Sequence, residues 1–491
     1  MLNNCNNQKL IIKMKIRHLV IFFYLLIISC SENKIEKVYP IPTERQLEWQ
    51  KLDYYAFIHF NMNTFTNKEW GYGDEKPDQF NPTELNTDQW AKIISEVGMK
   101  GIIITAKHHD GFCLWPSEFT DHSVKSTAWR NGEADILKDL SESCKKYGLK
   151  FGVYLSPWDR NHPDYGNDNY IIYFRNQLKE LLTNYGEIFE VWFDGANGGD
   201  GYYGGANETR KVDKKTYYDW ENTVKIVRDL QPNAVIFSDA GPDIRWVGNE
   251  KGYANQTTWS PILKDSLYPG MLNFNKFSAG QENGTHWIPT ETDVSIRPGW
   301  YYHPEQDNQV KSVEKLIDIY YNSVGLNSAL LLNIPVDTRG LIHEKDEQNL
   351  RLLYEYIENT FDEDLSKNQK YSALSTRKGF DVGNIFDGNS DTFWVSPKHT
   401  LQNEIIIDFD SVTTFDVIEI SEKIDYGQRI KSFEIEVLSK NEWKKVFEGT
   451  TIGNRRLVKL NQNIAETIKI KFTDSKASPI ISKISVYNSF K

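Results

Sequence analysis

The sequence predicts an α/β protein with a (β/α)8 TIM-type barrel followed by a C-terminal β-sandwich of the jelly-roll kind. Short apolar runs alternate with longer amphipathic segments over residues 54–360, a pattern typical of repeated βα units around a parallel sheet. No glycine-rich phosphate loop follows the first strand, which favours a barrel over a doubly wound sheet. After Phe361 the chain becomes polar and then alternates with period two, as half-buried strands do.

The apolar runs give the barrel strands and the amphipathic segments give its helices. Six strands are predicted, at residues 54–60, 101–106, 150–155, 188–193, 234–237 and 329–333. Six helices are predicted, at residues 88–96, 135–146, 171–184, 217–230, 310–322 and 346–358. In the C-terminal domain, strands are predicted at residues 404–409, 415–420, 432–437, 468–472 and 481–487.

The first residues of the chain predict that the protein is exported. The run from Leu19 to Ser29 is too short to span a bilayer and is typical of a signal peptide. Ile27-Ile28-Ser29-Cys30 resembles a bacterial lipobox, so we expect Cys30 to be lipidated and to anchor the protein in the cell envelope, on the periplasmic or the outer face. An ordinary cleaved signal or a buried strand is the alternative.

The domains expected are therefore a lipoprotein signal peptide (1–29), a tether (30–45), a catalytic barrel (46–360), a linker (361–370) and a β-sandwich (371–491).

Composition limits the function. The 491 residues include 57 basic and 68 acidic side chains, a net charge of −11, which argues against a nucleic-acid partner. The aromatic share of 13% exceeds what a disordered chain carries. Four cysteines, none in a CxxC pair after the leader, exclude a disulfide scaffold and argue against structural zinc. An uncharged ligand suits this chain better.

Polar and aromatic residues gather where the predicted strands end, which is where barrel enzymes have their active sites. His59, His108, His109, Tyr154 and Trp192 lie at these positions. A metal site is one interpretation, but adjacent histidines on a continuing strand point apart, so we expect no catalytic metal. The preferred interpretation is a sugar pocket, in which imidazoles bind hydroxyls and indoles cover an apolar face.

Glycoside cleavage needs two carboxyl groups. Asp194 follows an apolar strand and precedes Gly195, and it is the best nucleophile candidate. A helix cap or turn role is the alternative for a single aspartate at a strand end. The acid is not decided by spacing, because several carboxyls lie on the later loops: Asp239, Asp243, Glu250, Glu282 and Glu291.

These motifs together carry a family resemblance. FIHF (57–60), KEW (68–70), KHHDGF (107–112) and VWFDGANG (191–198) resemble the α-L-fucosidases of glycoside hydrolase family 29. The resemblance implies a barrel, retention of anomeric configuration by double displacement, no required cofactor, and a fucosylated oligosaccharide or glycoconjugate as substrate. It implies Asp194 as the nucleophile. It also implies sugar contacts for a set of matching positions: His59, Glu69, Trp70, His108, His109, Tyr154 and Trp192.

Two later stretches resemble the branch of that family specific for α1,3 and α1,4 linkages. They are GPDIRWVGNE (241–250) and ETDVSIRPGW (291–300). The branch places its acid/base at the glutamate that closes the first stretch, which implies Glu250. Glu291 is the second candidate for the acid, or a substrate contact. The glycine-rich loop after Asp194, at residues 198–205, leaves the preferred aglycone open.

The C-terminal segment around NIFDGNSDTFW (384–394) resembles discoidin-like carbohydrate-binding sandwiches. Such domains often bind galactose-type sugars, and a structural calcium near the Asp387-Gly388 loop is an expectation that this resemblance carries. A domain that only supports the barrel is the alternative.

Two other functions remain in view. A glycosidase of the same fold acting on a galactose-like sugar would share most of the hydroxyl pattern, and a glycan-binding lipoprotein would use the aromatic pocket without chemistry. The carboxyl pair of Asp194 and Glu250 argues against the binder, because binding alone does not require it.

Overall fold

The protein is described here from a computed structural model, which covers residues 35–389 and 391–491. The predicted signal peptide and the lipidation site at Cys30 lie outside these described residues. None of the helices within the described ranges is long and apolar enough to cross a membrane.

Eight parallel strands close into a barrel, so the predicted barrel is confirmed. In chain order they are β1 Tyr54–Ile58, β2 Gly101–Lys107, β3 Lys150–Leu155, β4 Glu190–Trp192, β5 Val235–Ser238, β6 Ile244–Trp246, β7 Thr290–Ser295 and β8 Ser328–Asn333. Each strand pairs with its neighbours in sequence, and β1 closes the barrel on β8 with Tyr54 opposite Leu330.

The described residues contain eight α-helices. They are α1 Glu44–Gln50, α2 Met62–Thr66, α3 Thr87–Glu96, α4 Ile136–Tyr147, α5 Asp168–Asn184, α6 Trp220–Leu230, α7 Val313–Ser323 and α8 Glu344–Phe361. Helix α4 shows why they form: Asp135 caps its first turn by accepting from the Lys138 amide, and Gly148 ends it in a left-handed conformation. Its apolar face of Ile136, Leu137 and Leu140 is buried.

Strands β6 and β7 were not among the six predicted strands. Strand β6 is only three residues long, and β7 reads Thr-Glu-Thr-Asp-Val-Ser yet is buried at every position. Its Glu291 and Asp293 side chains point into the barrel interior, where Trp192 and Trp246 donate to them, so the strand has no apolar run for a sequence pattern to detect.

No α-helix follows β5 or β6 among the described residues. Residues 239–243 link these two strands directly, and residues 247–289 replace a helix by 3₁₀ turns and the short antiparallel pair Pro261–Ile262 and His286–Trp287. This replacement leaves long loops on one side of the barrel.

The C-terminal domain is an antiparallel β-structure, which confirms the predicted sandwich. Its strands are Lys370–Ala373, Trp394–Val395, Asn403–Glu422, Ile430–Ser439, Glu442–Gly449, Arg456–Ser475 and Ile480–Tyr487. The two 20-residue strands pair with register shifts, which allow them to bend around a separate core rich in isoleucine and phenylalanine. The predicted strands 404–409 and 415–420 are therefore parts of one long strand.

The sandwich packs against the amino-terminal ends of the barrel strands. Arg455 donates to Asp53, immediately before β1, at 2.6 Å, and forms an ion pair with Glu419 at 3.0 Å. The Asn454 amide donates to the Asn327 side chain, immediately before β8. The sandwich therefore supports the end of the barrel opposite to the carboxyl ends of its strands.

Candidate active site

The predicted site residues come together at the carboxyl ends of the barrel strands. His59 follows β1, His108 and His109 follow β2, and Tyr154 is the fifth residue of β3. Asp194 lies two residues beyond β4. Because all strands of a parallel barrel end at one face, these five side chains face one region.

Asp194 is held by two hydrogen-bond donors. Tyr154 Oη donates to Oδ2 at 3.0 Å, and the Ala196 amide donates to Oδ1 at 2.6 Å. Burial raises the pKa of Asp194, and these two hydrogen bonds act against the rise by stabilising the ionised form. A side chain at position 195 would clash with the Asp239 carboxyl 2.1 Å from its Cβ, so Gly195 permits the close approach of two acidic loops.

The three histidines are neutral. Burial lowers the pKa of His59 and of His109 to about 3 and lowers that of His108 well below its usual range. Because β2 ends at Lys107, the His108 and His109 rings do not point apart, and their centroids lie 4.1 Å from each other. Among the described residues, no group of three or more His, Cys, Asp or Glu side chains could hold a metal ion.

Hydrogen-bond partners fix the tautomers of two histidines. Ser156 Oγ gives its one proton to the Trp158 carbonyl at 2.6 Å, so it accepts from His109 Nδ1 at 2.7 Å. His109 Nε2 is then an acceptor without a proton, 3.9 Å from Asp194 Oδ2. His59 Nδ1 donates to the Asn333 side-chain oxygen at 2.7 Å, which likewise leaves its other nitrogen as an acceptor. Both rings can therefore accept hydrogen bonds from substrate hydroxyls.

Glu69 and Glu250 are linked through Trp300. Glu69 Oε2 accepts from the Trp300 amide at 2.9 Å, and Glu250 Oε2 accepts from the Trp300 indole at 3.2 Å. His303 bonds Glu69 Oε1 at 2.6 Å. Trp70 is 52% exposed and lies edge-on to the His109 ring, at 5.2 Å between centroids.

The pKa of Glu250 is raised. Burial is the largest cause, the charges of Asp194 and Glu69 add to the rise, and the Trp300 hydrogen bond opposes it. The negative charge of Asp194 therefore acts on Glu250, and the surroundings of Glu250 favour its protonated form.

Glu291 occupies a different layer. It is completely buried inside the barrel, where Oε1 accepts from Trp192 Nε1 at 2.8 Å. The Trp192 ring stacks on Phe237 at 4.1 Å and on Tyr154 at 5.3 Å between centroids. Glu291 thus lies below Trp192, away from the pocket surface, which argues against both the acid role and the substrate contact expected for it.

Two other acid candidates lie elsewhere. Asp243 forms ion pairs with Arg45 and Arg228, and Glu282 pairs with Lys431 at the sandwich. Asp239 does belong to the site, since burial and the Asp194 charge raise its pKa to about 6 and its Oδ2 accepts from the Gly270 amide at 2.8 Å.

Sequence reasoning missed three residues of this region. Asp293 is buried and accepts from Trp246 Nε1 at 2.8 Å, with its pKa raised well above the usual range by burial and by the Glu250 charge. Glu190 and His303 were also missed. The period-two spacing of Glu291 and Asp293 was the available signal, because a strand places both side chains on one face.

The calcium expectation in the C-terminal domain stays a prediction. The Thr392 hydroxyl lies 2.9 and 2.8 Å from the two Asp387 carboxylate oxygens and can donate its one proton between them, and the Asn389 amide donates to Asp387 Oδ1 at 2.8 Å. These bonds hold the Asp387 side chain against its own loop.

The chain is similar to known proteins over both domains. The α-L-fucosidase family matches residues 37–360, and the F5/8 type C domain matches residues 369–485. Alpha-L-fucosidase 1 of Arabidopsis thaliana is 40% identical over 95% of this chain and 93% of its own length.

Solved structures agree. A protein of Bacteroides thetaiotaomicron described as a putative alpha-L-fucosidase superposes with a TM-score of 0.86 at 36% identity, covering 93% of this chain and 99% of its own. A glycoside hydrolase family 29 fucosidase of Ruminococcus gnavus, solved in complex with fucose, has a TM-score of 0.84 at 33% identity over 94% and 98% of the two chains. The chain therefore belongs to the α-L-fucosidase family of glycoside hydrolases and carries a C-terminal F5/8 type C domain.

Proposed function

We propose that the protein is a retaining, exo-acting α-L-fucosidase that hydrolyses terminal α1,3- or α1,4-linked L-fucose, with Asp194 as nucleophile and Glu250 as acid/base. The observation that carries the proposal is the contrast between the two carboxyls. Asp194 accepts two hydrogen bonds that favour its ionised form. Glu250 accepts one, and the charges of Asp194 and Glu69 favour its protonated form.

The reaction follows from these two states. Ionised Asp194 attacks the anomeric carbon while Glu250 gives its proton to the glycosidic oxygen, so that the bond to the aglycone breaks and a fucosyl ester forms. Glu250, now ionised, takes a proton from water as the water oxygen attacks the same carbon. The ester bond breaks, Asp194 regains its negative charge, and fucose leaves with its configuration retained.

Neutral imidazoles support recognition of a sugar. The acceptor nitrogens of His59 and His109 suit hydroxyl donors, and the Glu69 carboxylate adds a charged acceptor. The family relative from Ruminococcus gnavus was solved with fucose, which supports the same sugar here. The proposed linkage rests on the resemblance of residues 241–250 and 291–300 to the α1,3/1,4 branch.

Azide separates the two carboxyl roles. In Asp194→Gly, azide takes the place of the nucleophile and should release β-L-fucosyl azide from an activated aryl fucoside. In Glu250→Gly, azide replaces water in the second step and should release the α anomer. Asp239→Gly is the matched control, because removal of a pocket carboxyl with neither role should give no fucosyl azide. The same anomer from both variants would contradict the assignment.

A substrate panel tests the linkage. Wild-type protein should release fucose from a Lewis-type trisaccharide and leave an α1,2-fucosyl disaccharide intact. Release from both would remove the linkage proposal while keeping the fucosidase, and turnover of an aryl galactoside in place of the fucoside would favour the galactose-like alternative.

We also propose that Cys30 is lipidated and anchors the enzyme in the cell envelope. Metabolic labelling with a palmitate analogue should mark the wild-type protein and leave Cys30→Ala unlabelled; equal labelling of both would contradict the anchor.

A further inference from the structure

Two buried carboxyls meet inside the barrel beneath the pocket. Glu190 of β4 and Glu291 of β7 are both completely buried. No ion pair to either appears in the described part of the chain. Their partners are neutral groups. Tyr55 Oη contacts the Oε2 atoms of both carboxyls, at 3.0 Å for Glu190, and the Trp49 indole N–H is shared between Tyr55 Oη at 2.9 Å and Glu190 Oε2 at 3.1 Å.

Counting protons determines the charge of this cluster. The Tyr55 hydroxyl has one proton and touches two carboxyls, so it can donate to only one of them. The other carboxyl must supply the hydrogen for its own contact with Tyr55, which requires it to be protonated. Two adjacent ionised carboxylates without a cation would also be too costly in a buried site.

Glu291 is the better place for the charge. Each oxygen of Glu291 accepts a hydrogen bond, Oε1 from Trp192 at 2.8 Å and Oε2 from Tyr55, whereas both contacts of Glu190 fall on Oε2 and its Oε1 has no partner. Burial and the Glu291 charge also raise the pKa of Glu190 well above its usual range. The proton therefore resides on Glu190, and the negative charge faces the Trp192 indole.

Trp192 connects the cluster to the reacting groups. Its ring packs between Phe237 and Tyr154, and Tyr154 Oη donates to Asp194. Asp194 also follows Trp192 by only two residues in the chain. A rotation of the indole would disturb the ring whose hydroxyl orients the carboxylate.

We propose that Glu190 and Glu291 share one proton through Tyr55, and that Glu291 is a positioning residue which fixes Trp192 and, through Tyr154, the Asp194 carboxylate. The inference rests on the proposed role of Asp194 as nucleophile. It gives Glu291 a part in catalysis without contact to the substrate.

The test compares two substitutions at one position. Glu291→Met keeps the length of the side chain but removes the acceptor for Trp192, and kcat/KM for an aryl fucoside should fall about tenfold or more. Glu291→Gln keeps an acceptor oxygen and should recover most of this loss. Thermal unfolding of both variants shows whether they fold. If Glu291→Met folds and retains full kcat/KM, or if Gln is as poor as Met, the positioning role is wrong.

A double-mutant cycle tests the route. Trp192→Phe removes the indole N–H, so adding Glu291→Met to it should cost little further kcat/KM. An equal loss in both backgrounds would overturn the route through Trp192. The single variant Trp192→Phe tests the route even if Glu291→Met does not fold. Unchanged kcat/KM in Trp192→Phe would contradict the inference.

Infrared spectroscopy tests the shared proton in the wild-type protein. Subtracting the Glu190→Gln spectrum from that of the wild type should leave one protonated carboxyl band at neutral pH, and absence of this band would overturn the proton assignment. Failure of the proposed function is distinguishable, since the wild type would then release no fucose, whereas failure of this inference leaves an active wild type.

Discussion

Removing the hydroxyl of Tyr154 should shift the acid side of the pH profile. Tyr154 is 1% exposed and donates to Asp194 at 3.0 Å, and burial holds the pKa of its own hydroxyl well above 10, so it is a donor at every assay pH. A hydrogen bond to a charged group contributes about 1.5–3 kcal/mol. The Asp194 side chain is 23% exposed, which favours the lower end of that range.

About 1.5 kcal/mol corresponds to about one pKa unit. The hydrogen bond stabilises ionised Asp194, so in Tyr154→Phe the pKa of Asp194 rises. Because the nucleophile must be ionised, the acid limb of kcat/KM against pH should move to higher pH by about one unit. Below this limb the variant should be about tenfold slower than the wild type.

The control is Tyr165→Phe, which removes an equally buried hydroxyl that bonds Tyr218 at 2.8 Å. Its acid limb should coincide with that of the wild type. An unmoved limb in Tyr154→Phe, or equal shifts in both variants, would refute the reasoning.

Three further outcomes follow from the site. Trp300→Phe removes the donor that stabilises ionised Glu250, so the pKa of Glu250 should rise. The basic limb of kcat/KM against pH should then move to higher pH by about half a unit. A shift to lower pH would contradict the acid role. Burial raises the pKa of Asp194 in the folded state. The protonated carboxyl therefore contributes to the free energy of unfolding at low pH, and this contribution is lost as pH rises through the folded-state pKa. Asp194→Asn should therefore unfold at a higher temperature than the wild type at neutral pH, with the difference closing in acid, and a lower melting temperature at neutral pH would contradict this. Burial lowers the pKa of His109 to about 3, so this residue stays neutral between pH 5 and 8. His109→Gln should reduce kcat/KM at least about tenfold and leave the limbs of the pH profile between 5 and 8 unchanged. Loss of a limb in that range would show that the histidine titrates there.

Much of the barrel is encoded in local patterns. Strands such as Lys150–Leu155 are unbroken apolar runs after their first residue, and the sequence of helix Ile136–Tyr147 shows both its caps and its amphipathic stripe. Strand Thr290–Ser295 has no such pattern, because its two buried carboxyls, Glu291 and Asp293, accept hydrogen bonds from tryptophans of other strands. Only the closed barrel supplies those partners.

Site residues could be predicted where polar side chains directly follow a strand. Asp194 and the histidine pair were recognised in this way, and the structure brings them to one pocket. Glu291 was recognised through the family resemblance of residues 291–300 and was expected on a loop. Its position inside a buried strand was not predicted, since depth in the barrel depends on which residue of a strand faces inward and how far the strand extends. The proposed acid/base, Glu250, could not be derived from spacing, because its loop is held by Trp300, 50 residues later in the chain.

The most direct test of the central claim is to identify the residue that carries the fucosyl ester. A 2-deoxy-2-fluoro-fucosyl fluoride should label the wild-type protein. The fluorine at C2 slows both formation and breakdown of the ester, and the fluoride leaving group accelerates formation alone, so the ester accumulates. Peptide mass spectrometry should then find one fluorofucosyl group on Asp194, and the Asp194→Asn protein should remain unlabelled. A label on another carboxyl, or an unlabelled wild type that releases fucose with inverted configuration, would contradict double displacement at Asp194.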